Sequence, residues 1–383
     1  MKTNNTGNDI RMWTPATAAM VLVMLAGLGV MVYRLISGLG ASTHLNDNFP
    51  WGIWLAVDVL GGVAMAAGGF IIASMVYLFN MKKYKPITRP AILTAFIGYL
   101  LAIVAIIMDI GQPHRIWHPA VMWQIRSVMW VVAIHVMLYT TTLALEFSPM
   151  LFERLGWHGA VKTVQKIMVP VVLFGALLSV LHQSSLGAVF LIVPGKLSPF
   201  WYNSKLPFLF LVSAVMMGLS MVSLETILSA RIFRHPVDMG IFTGLARALA
   251  GVALFYFVLK MYFLVTGPGV AAVFSGSMEA NMYLIEMALS VILPLALLLG
   301  TKMKESLSGL LFIDVLVIAG VLINRLNVGI FGLYRHNATN GQTYFPSWME
   351  FAVTFALIAL AFFIFKMAAR HLPLLSSETA SEH

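Results

Sequence analysis

The chain has 383 residues, of which 60% are hydrophobic and only 10% are charged, with a net charge of +9 and no cysteine. Because about a quarter of the residues in a soluble domain are charged, this composition excludes an ordinary soluble enzyme and indicates a membrane protein. The absence of cysteine excludes thiolate-bound iron–sulfur clusters, disulfides and a cysteine nucleophile.

Ten apolar stretches are each long enough to cross a bilayer as a helix, which takes about 20 residues. Helices are expected because a helix satisfies its own backbone hydrogen bonds in lipid. The first stretch is too long for a signal peptide and is expected to remain as an anchor. The predicted spans cover residues 15–39, 52–79, 89–110, 127–146, 166–191, 207–230, 242–266, 280–300, 306–327 and 349–369. The predicted fold is therefore an all-α integral membrane protein with a single transmembrane domain over residues 1–383.

The distribution of Lys and Arg predicts the orientation. If the N-terminus is cytoplasmic, most of the 24 basic residues fall in cytoplasmic segments, and the opposite loops carry only Arg115, Arg126, Lys196, Lys205 and Arg335. This bias follows the positive-inside rule, so both termini are predicted to be cytoplasmic. The rule also accounts for the net charge, and no nucleic-acid partner is expected.

Three ionisable residues, Asp58, Asp109 and His182, lie in separate predicted spans at nearly the same depth in the outer half. A charge in hydrocarbon costs about 3 kcal/mol or more, so such residues usually mark a pathway or a ligand site. An acid and a histidine together can accept the two protons that a quinol releases. The sequence therefore predicts a proton-linked pocket, with interhelical hydrogen bonding as the alternative. That alternative also suits the other polar residues of the outer half, Lys260, Glu286, Asn324, Arg325 and Asn327.

Two of the ten histidines, His135 and His182, lie inside predicted spans. Both are roughly 12–14 Å deep on adjacent helices, from the rise of a helix. One haem with two histidine ligands is therefore geometrically possible, and a packed core histidine is the alternative for His135.

A second polar layer in the inner half contains the acids Glu146, Glu225 and Asp314, together with Arg247. These acids are candidates for a proton route that also uses Asp58 and His135. The alternatives are ion pairs with Arg247 and, for Glu146, a solvated helix end just before Pro149.

Four segments resemble the polysulfide reductase membrane-subunit (NrfD/PsrC) family, in its ten-span branch with the hydrogenase-2 membrane anchor and the membrane subunit of the sulfite-reduction-associated complex. They are residues 49–69, residues 144–157 (ALEFSPMLFERLGW), residues 182–187 (HQSSLG) and residues 344–350 (YFPSWME). The resemblance covers nearly the whole chain, and the four motifs are specific only together.

The resemblance implies two four-helix bundles, spans two to five (residues 52–191) and spans six to nine (residues 207–327), flanked by spans one and ten. In that family the subunit carries no redox metal and binds quinone in the first bundle, near the face where an iron–sulfur protein docks. Asp58, Asp109 and His182 fall in this bundle. Because quinone rings favour aromatic walls with few polar groups, the residues expected to line the site are Trp51, Trp54, Gln183, Ser184 and His135.

The predicted function is that of a quinone-reactive anchor subunit of a multisubunit oxidoreductase in a bacterial or archaeal cytoplasmic membrane. Electrons would pass between menaquinone or ubiquinone and an iron–sulfur protein or a c-type haem subunit at the outer face. The complex could include a hydrogenase or another catalytic subunit and a multihaem cytochrome c, and this chain would hold no haem or iron–sulfur cluster. A secondary transporter and a haem b cytochrome remain alternatives. The outer-loop residues expected to dock the partner, unless they only line the membrane surface, are His114, Arg115, Ile116, Trp117, Tyr334, Tyr344 and Trp348.

Overall fold

A computed structural model describes residues 12–233, 238–338 and 341–374, and within these ranges it contains helices and no β-strand. Ten helices are long and apolar enough to cross a membrane, which confirms the predicted number of spans. We name them α1 (Pro15–Ser37), α2 (Trp54–Leu78), α3 (Lys82–Asp109), α4 (Val128–Leu155), α5 (His158–Ile192), α6 (Leu206–Ile232), α7 (Met239–Thr266), α8 (Met278–Gly300), α9 (Leu307–Asn337) and α10 (Trp348–His371).

Loops 38–53, 110–127 and 193–205 lie at the same end of the helices, which we call the Phe49 end. The positive-inside rule predicts that this end faces outward, and the orientation stays a prediction. Lys2 and Arg11, which the prediction counts among the cytoplasmic basic residues, lie outside the described residues.

Helix α4 is longer than predicted, because it continues through Pro149 to Leu155 instead of ending near residue 146. It ends at Gly156, whose φ of 74° is a left-handed conformation that glycine adopts readily, and α5 begins at His158. The motif of residues 144–157 is therefore mostly helical. Glu146 lies nine residues before the end of α4, and it is only 4% exposed. The prediction of a solvated helix end at Glu146 is wrong.

Helix α2 opens with a π-helical segment, Trp54–Gly61, and ends with a second one, Ser74–Leu78. A π-turn adds a residue to the helical repeat and so changes the direction of the side chains that follow, and such turns are frequent at functional sites. Asp58 lies in the middle of the first segment. A helical wheel drawn for a regular α-helix would therefore place the Asp58 side chain on the wrong face of α2.

Helices α2 and α6 lie at the centre of the molecule, where α2 packs against α3, α5, α6 and α9. Helix α1 packs against α10 at the periphery. Helices α2 to α5 contact one another in succession, as do α6 to α9. The division into two four-helix bundles agrees with this packing and stays a prediction.

The backbones of α2 and α6 touch where Gly68 faces Gly218. A β-carbon added at Gly68 would lie 2.8 Å from the Gly218 carbonyl oxygen, and one added at Gly218 would lie 2.6 Å from the Gly68 nitrogen. Small residues allow such close approach of helices in membranes, where packing rather than hydrophobic burial drives association.

We expect Gly218→Leu to lower the thermal stability of the purified protein strongly, because backbone atoms of α2 cannot move away as a flexible side chain could. Overpacking of this kind typically costs about 1–3 kcal/mol or more. The matched control is Gly251→Leu on α7, since a β-carbon at Gly251 meets no atom within 4 Å. Equal melting temperatures for the two variants in detergent would contradict the close contact.

Candidate functional site

Three carboxylates meet at the Phe49 end and form what we call the carboxylate cluster: Asp58 on α2, Asp109 at the end of α3, and Glu350 in the first turn of α10. The Thr354 hydroxyl of α10 donates a hydrogen bond of 2.6 Å to Asp58 Oδ2. Asp109 interacts electrostatically with both Asp58 and Glu350. Asp58 and Asp109 are partly exposed, and among the described residues the buried Asp109 Oδ1 has no hydrogen-bond partner.

Arg34 of α1 supplies the positive charge beside Asp109. Its guanidinium is 1% exposed and donates hydrogen bonds of 2.7 Å to the Met108 carbonyl and 2.6 Å to the Ile110 carbonyl. The last carbonyls of a helix have no partner within the helix, so Arg34 satisfies the end of α3 on both sides of Asp109. The arginine therefore fixes the position of Asp109 and offsets its charge.

Glu350 joins two of the sequence motifs into one structural unit. Its Oε1 accepts a hydrogen bond of 2.5 Å from the Tyr344 hydroxyl, and its Oε2 accepts one of 2.7 Å from the Ser347 backbone in a capping box. The Tyr344 hydroxyl also accepts from the Ile53 backbone, at 3.3 Å. Two effects raise the pKa of Tyr344 well above its usual range: burial is the larger, and the hydrogen bond to Glu350 is the second. Tyr344 therefore stays protonated and serves as a donor.

Close packing explains the glycine in the motif of residues 49–54, because a β-carbon at Gly52 would lie 2.4 Å from the Tyr344 hydroxyl.

The two tryptophans of this motif have different roles. The Trp54 indole is 1% exposed and donates to the Glu350 carbonyl at 3.1 Å. Trp51 is partly buried, with its ring 5.0 Å from that of Phe190 on α5. Trp51 thus remains a candidate wall of a ligand site, whereas Trp54 holds α2 to α10.

His182 belongs to a second group of side chains, the His–Tyr cluster of His135, His182, Tyr99 and Tyr139. The His182 ring lies 5.6 Å from the Tyr99 ring and 6.3 Å from the His135 ring, and the two tyrosine rings are 4.6 Å apart. The His182 side chain is 0% exposed, and among the described residues neither of its ring nitrogens has a hydrogen-bond partner. Both tyrosine hydroxyls lie near the Ser179 hydroxyl, but neither makes a well-formed hydrogen bond within the described part of the chain. Buried polar groups are rarely left unpaired, so the cluster has unused capacity to accept and donate protons.

Two neighbouring residues of the α5 motif have different environments. The Gln183 amide nitrogen donates to the Val63 carbonyl of α2 at 2.8 Å, while its side-chain oxygen has no partner. Ser184 is partly buried on the same turn. His135 Nδ1 lies 3.4 Å from the Ser185 hydroxyl, which links α4 to α5.

The prediction of one common depth is wrong for the three ionisable residues. Asp109 is the last residue of α3, Asp58 lies four residues inside α2, and His182 lies ten residues before the end of α5. From the helical rise, Asp58 is about 6 Å and His182 about 15 Å below the helix ends. The structure brings Asp58 and Asp109 together and places His182 deeper, with His135.

The inner acids do not pair with Arg247, which is exposed. Within the described ranges, both carboxylate oxygens of Glu225 and one oxygen each of Glu146 and Asp314 lack a hydrogen-bond partner. Thr94 on α3 lies beside Glu225, and Ser223 on α6 lies beside Asp314. The ion-pair alternative for these acids is therefore wrong.

A haem does not fit between His135 and His182 as these side chains are packed. Since His182 is 0% exposed, no space as large as a water molecule touches its ring. At the Phe49 end, by contrast, Trp51, Asp58 and Asp109 are partly exposed.

Ten apolar helices that enclose buried acids, histidines and tyrosines define a multi-pass integral membrane protein with polar sites inside its helical core. A family model described as Polysulphide reductase, NrfD, matches residues 41–335. The chain belongs to the NrfD family, and the prediction from the four sequence motifs is confirmed.

Three similar proteins match this chain over nearly its whole length. The Escherichia coli K12 protein named "Probable Ni/Fe-hydrogenase 2 b-type cytochrome subunit" is 32% identical over 363 residues, which cover 92% of this chain and 91% of that protein. The "Menaquinone reductase, integral membrane subunit" of Nitratidesulfovibrio vulgaris is 25% identical over 373 residues, covering 90% and 88% of the two chains. The "Hdr-like menaquinol oxidoreductase integral membrane subunit" of Archaeoglobus fulgidus is 23% identical over 393 residues, covering 94% of each.

Proposed function

We propose that this protein is the quinone-reactive membrane subunit of a multisubunit oxidoreductase. The observation that carries the proposal is the carboxylate cluster, in which two partly exposed acids, Asp58 and Asp109, share one site with the buried Arg34. Two relatives whose names contain menaquinone or menaquinol support it. Reduction of a quinone consumes two electrons and two protons, and its oxidation releases them.

In this proposal the carboxylates exchange protons with the quinone oxygens, and electrons travel to or from a partner subunit. Of the two acids, Asp109 is the better proton acceptor. Arg34 fixes the backbone on both sides of it, and the Thr354 hydroxyl binds Asp58 instead. Asp58 is held by Thr354 and sets the charge beside Asp109. The Trp51 ring provides the apolar wall. His182 and His135 lie deeper and would receive protons from this site.

The test is purification of the chain with its natural partners, followed by quinone binding and an optical spectrum. We expect iron–sulfur or c-type haem subunits to co-purify, and a photoreactive menaquinone analogue to label residues near Trp51 and Asp58. Labelling that falls only on α6 to α9 would contradict the site. A haem b spectrum in the purified chain without its partners would instead favour the cytochrome alternative.

The partner subunit is expected to dock at the loop between α3 and α4. This loop exposes large apolar side chains, with Trp117 54%, Trp123 71% and Ile125 72% exposed. Aromatic residues are enriched at interfaces, and they are also common at the membrane surface. Tyr344 is 2% exposed and packs inside the protein, so its assignment to the docking surface is wrong.

We expect a photo-crosslinker at position 123 to capture a partner subunit in intact membranes. The matched control is position 157 at the opposite end, where Trp157 is 58% exposed. Capture of lipid alone at position 123 would show that the loop only lies on the membrane surface.

A proton route from the carboxylate cluster towards the inner acids is part of the proposal. The His–Tyr cluster supports it, because Tyr99, Tyr139 and Ser179 place hydroxyl groups between the histidines and Glu146. A β-carbon at Gly175 would lie 2.8 Å from Glu146 Oε1 and 3.6 Å from the Tyr139 ring, so those two side chains are close neighbours. Glu225 would join from α6, whereas Asp314 lines a separate cleft among α6, α7, α8 and α9. We therefore leave Asp314 out of the route.

A further inference from the structure

A separate group of charged side chains lies among α6 to α9, and we call it the Glu286 cluster: Lys260, Glu286 and Arg325. Lys260 Nζ lies 2.7 Å from Glu286 Oε1, and their side chains are 4% and 0% exposed. Glu286 also accepts hydrogen bonds from Trp201 Nε1 at 2.7 Å and from the Asn324 and Asn327 side chains, each at 2.9 Å. Four donors therefore satisfy this carboxylate.

The cluster contains one more positive than negative charge. Arg325 is 1% exposed and donates to the Asn324 side chain at 2.7 Å, the Ser213 hydroxyl at 2.9 Å and the Phe210 carbonyl at 3.1 Å. Its Nε has no hydrogen-bond partner, and the only ion pair of the cluster in the described residues is that of Lys260 with Glu286. A buried positive charge without a counter-charge is costly inside a membrane protein.

A narrow cleft reaches Lys260 from the Phe49 end. Its walls include the rings of Phe200, Trp201, Phe263 and Tyr283, with Asn203 beside them, and the cleft has room for about one oxygen-sized atom. Lys260 has three N–H donors, and its ammonium contacts Glu286 and lies over two rings, 4.7 Å from the centre of Tyr283 and 6.0 Å from that of Tyr256. The Tyr283 hydroxyl makes only a long hydrogen bond of 3.5 Å. The hydrogen-bonding groups of the cleft that remain unused are therefore mainly donors.

We propose that this cleft binds one oxygen atom of an anionic phosphate group, with Lys260 and Tyr283 as donors. An anion offsets the extra positive charge, which a water molecule or a neutral carbonyl does not. The phosphate could belong to an anionic membrane lipid or be a free ion, because both present the same oxygens. The aromatic walls suit a lipid, and the exposed Lys205 near Asn203 would attract either form.

The test uses the full chain in detergent after removal of bound lipid, with native mass spectrometry and thermal unfolding as readouts. The probes are phosphatidylglycerol, inorganic phosphate and diacylglycerol, which has the same acyl chains but no phosphate. If the source is lipid, phosphatidylglycerol is expected to bind and to raise the melting temperature, and inorganic phosphate does not protect. If the source is a free ion, inorganic phosphate binds and protects alone. Equal binding of diacylglycerol, or protection by neither phosphate compound, would overturn the proposal.

Lys260→Gln removes the charge while its amide can still donate to Glu286, and we expect the dissociation constant to rise at least tenfold. Tyr283→Phe leaves every charge in place and is expected to raise it a few-fold. The matched control is Lys302→Gln, an exposed lysine at the opposite end of the helices. Wild-type affinity in Lys260→Gln would disprove the site. If that variant does not fold, wild-type affinity in Tyr283→Phe decides against it.

Discussion

Asp109→Asn is expected to lower quinone-linked turnover of the assembled complex by about a hundredfold or more, the usual effect of losing a general acid–base group. Asparagine has nearly the same shape and keeps the end of α3 intact, but it cannot accept the proton that a quinol releases. Arg34 would still bind the Met108 and Ile110 carbonyls, so assembly should be unchanged. Turnover is measured with a soluble menaquinol analogue on the purified complex.

Two further variants separate chemistry from position. Asp47→Asn alters an exposed aspartate in the loop before α2 and should leave turnover unchanged. Arg34→Met should reduce turnover and also lower stability, because two carbonyl oxygens at the end of α3 lose their donor. Wild-type quinone kinetics in Asp109→Asn would remove Asp109 from the site. Loss of the partner subunits in the same variant would point to a structural role instead.

Glu146→Gln is expected to slow proton uptake from the side of Leu155 at least tenfold in proteoliposomes during quinone turnover. The physical reason is that Glu146 is the buried acid next to Tyr139, and glutamine cannot carry the proton onward. Tyr139→Phe, which removes only a hydroxyl group, should slow uptake in the same direction. Moving one charge through about 100 mV stores roughly 2.3 kcal/mol, so the loss should also appear as a smaller membrane potential.

The control for this measurement is Glu305→Gln, because Glu305 is exposed in the loop between α8 and α9. Proton uptake and release are followed on each side with pH-sensitive dyes, and Glu225→Gln tests the branch from α6. If Glu146→Gln, Tyr139→Phe and Glu225→Gln all match wild type in turnover and proton stoichiometry, the inner acids are structural and the route does not exist.

The sequence predicts the ten spans well, because each helix needs a long apolar stretch to cross the bilayer. The ends of the helices are harder to predict where proline lies inside a membrane helix, as Pro149 does in α4. The π-helical segment around Asp58 is invisible to hydrophobic periodicity, because the residues on every side of α2 are apolar. The common depth assigned to Asp58 and His182 failed because it treated a position about 15 Å from a helix end as level with one about 6 Å from a helix end.

The predicted site lacks residues that come close to it only through the packing of helices distant in sequence. Arg34 and Thr354 belong to α1 and α10, which were assigned to the periphery, yet both contact the carboxylate cluster region. The signal for Arg34 was present, since an arginine in an apolar span rarely lacks a partner. Tyr99 and Tyr139 gave no such signal, because aromatic residues in membrane helices usually fill the core. Only the packing of α3 against α4 shows that their rings lie 4.6 Å apart and that both hydroxyls lack a partner among the described residues.

The contact between Gly68 and Gly218 bears on how the molecule can move. Transporters with alternating access rock one helical unit against another around a central substrate site. Here the two central helices meet backbone to backbone at Gly68 and Gly218, with the side chains of Ala67 and Val222 packed beside the contact. A substrate moving between α2 and α6 would have to break this seam. The contact therefore speaks against a solute passage between these two helices.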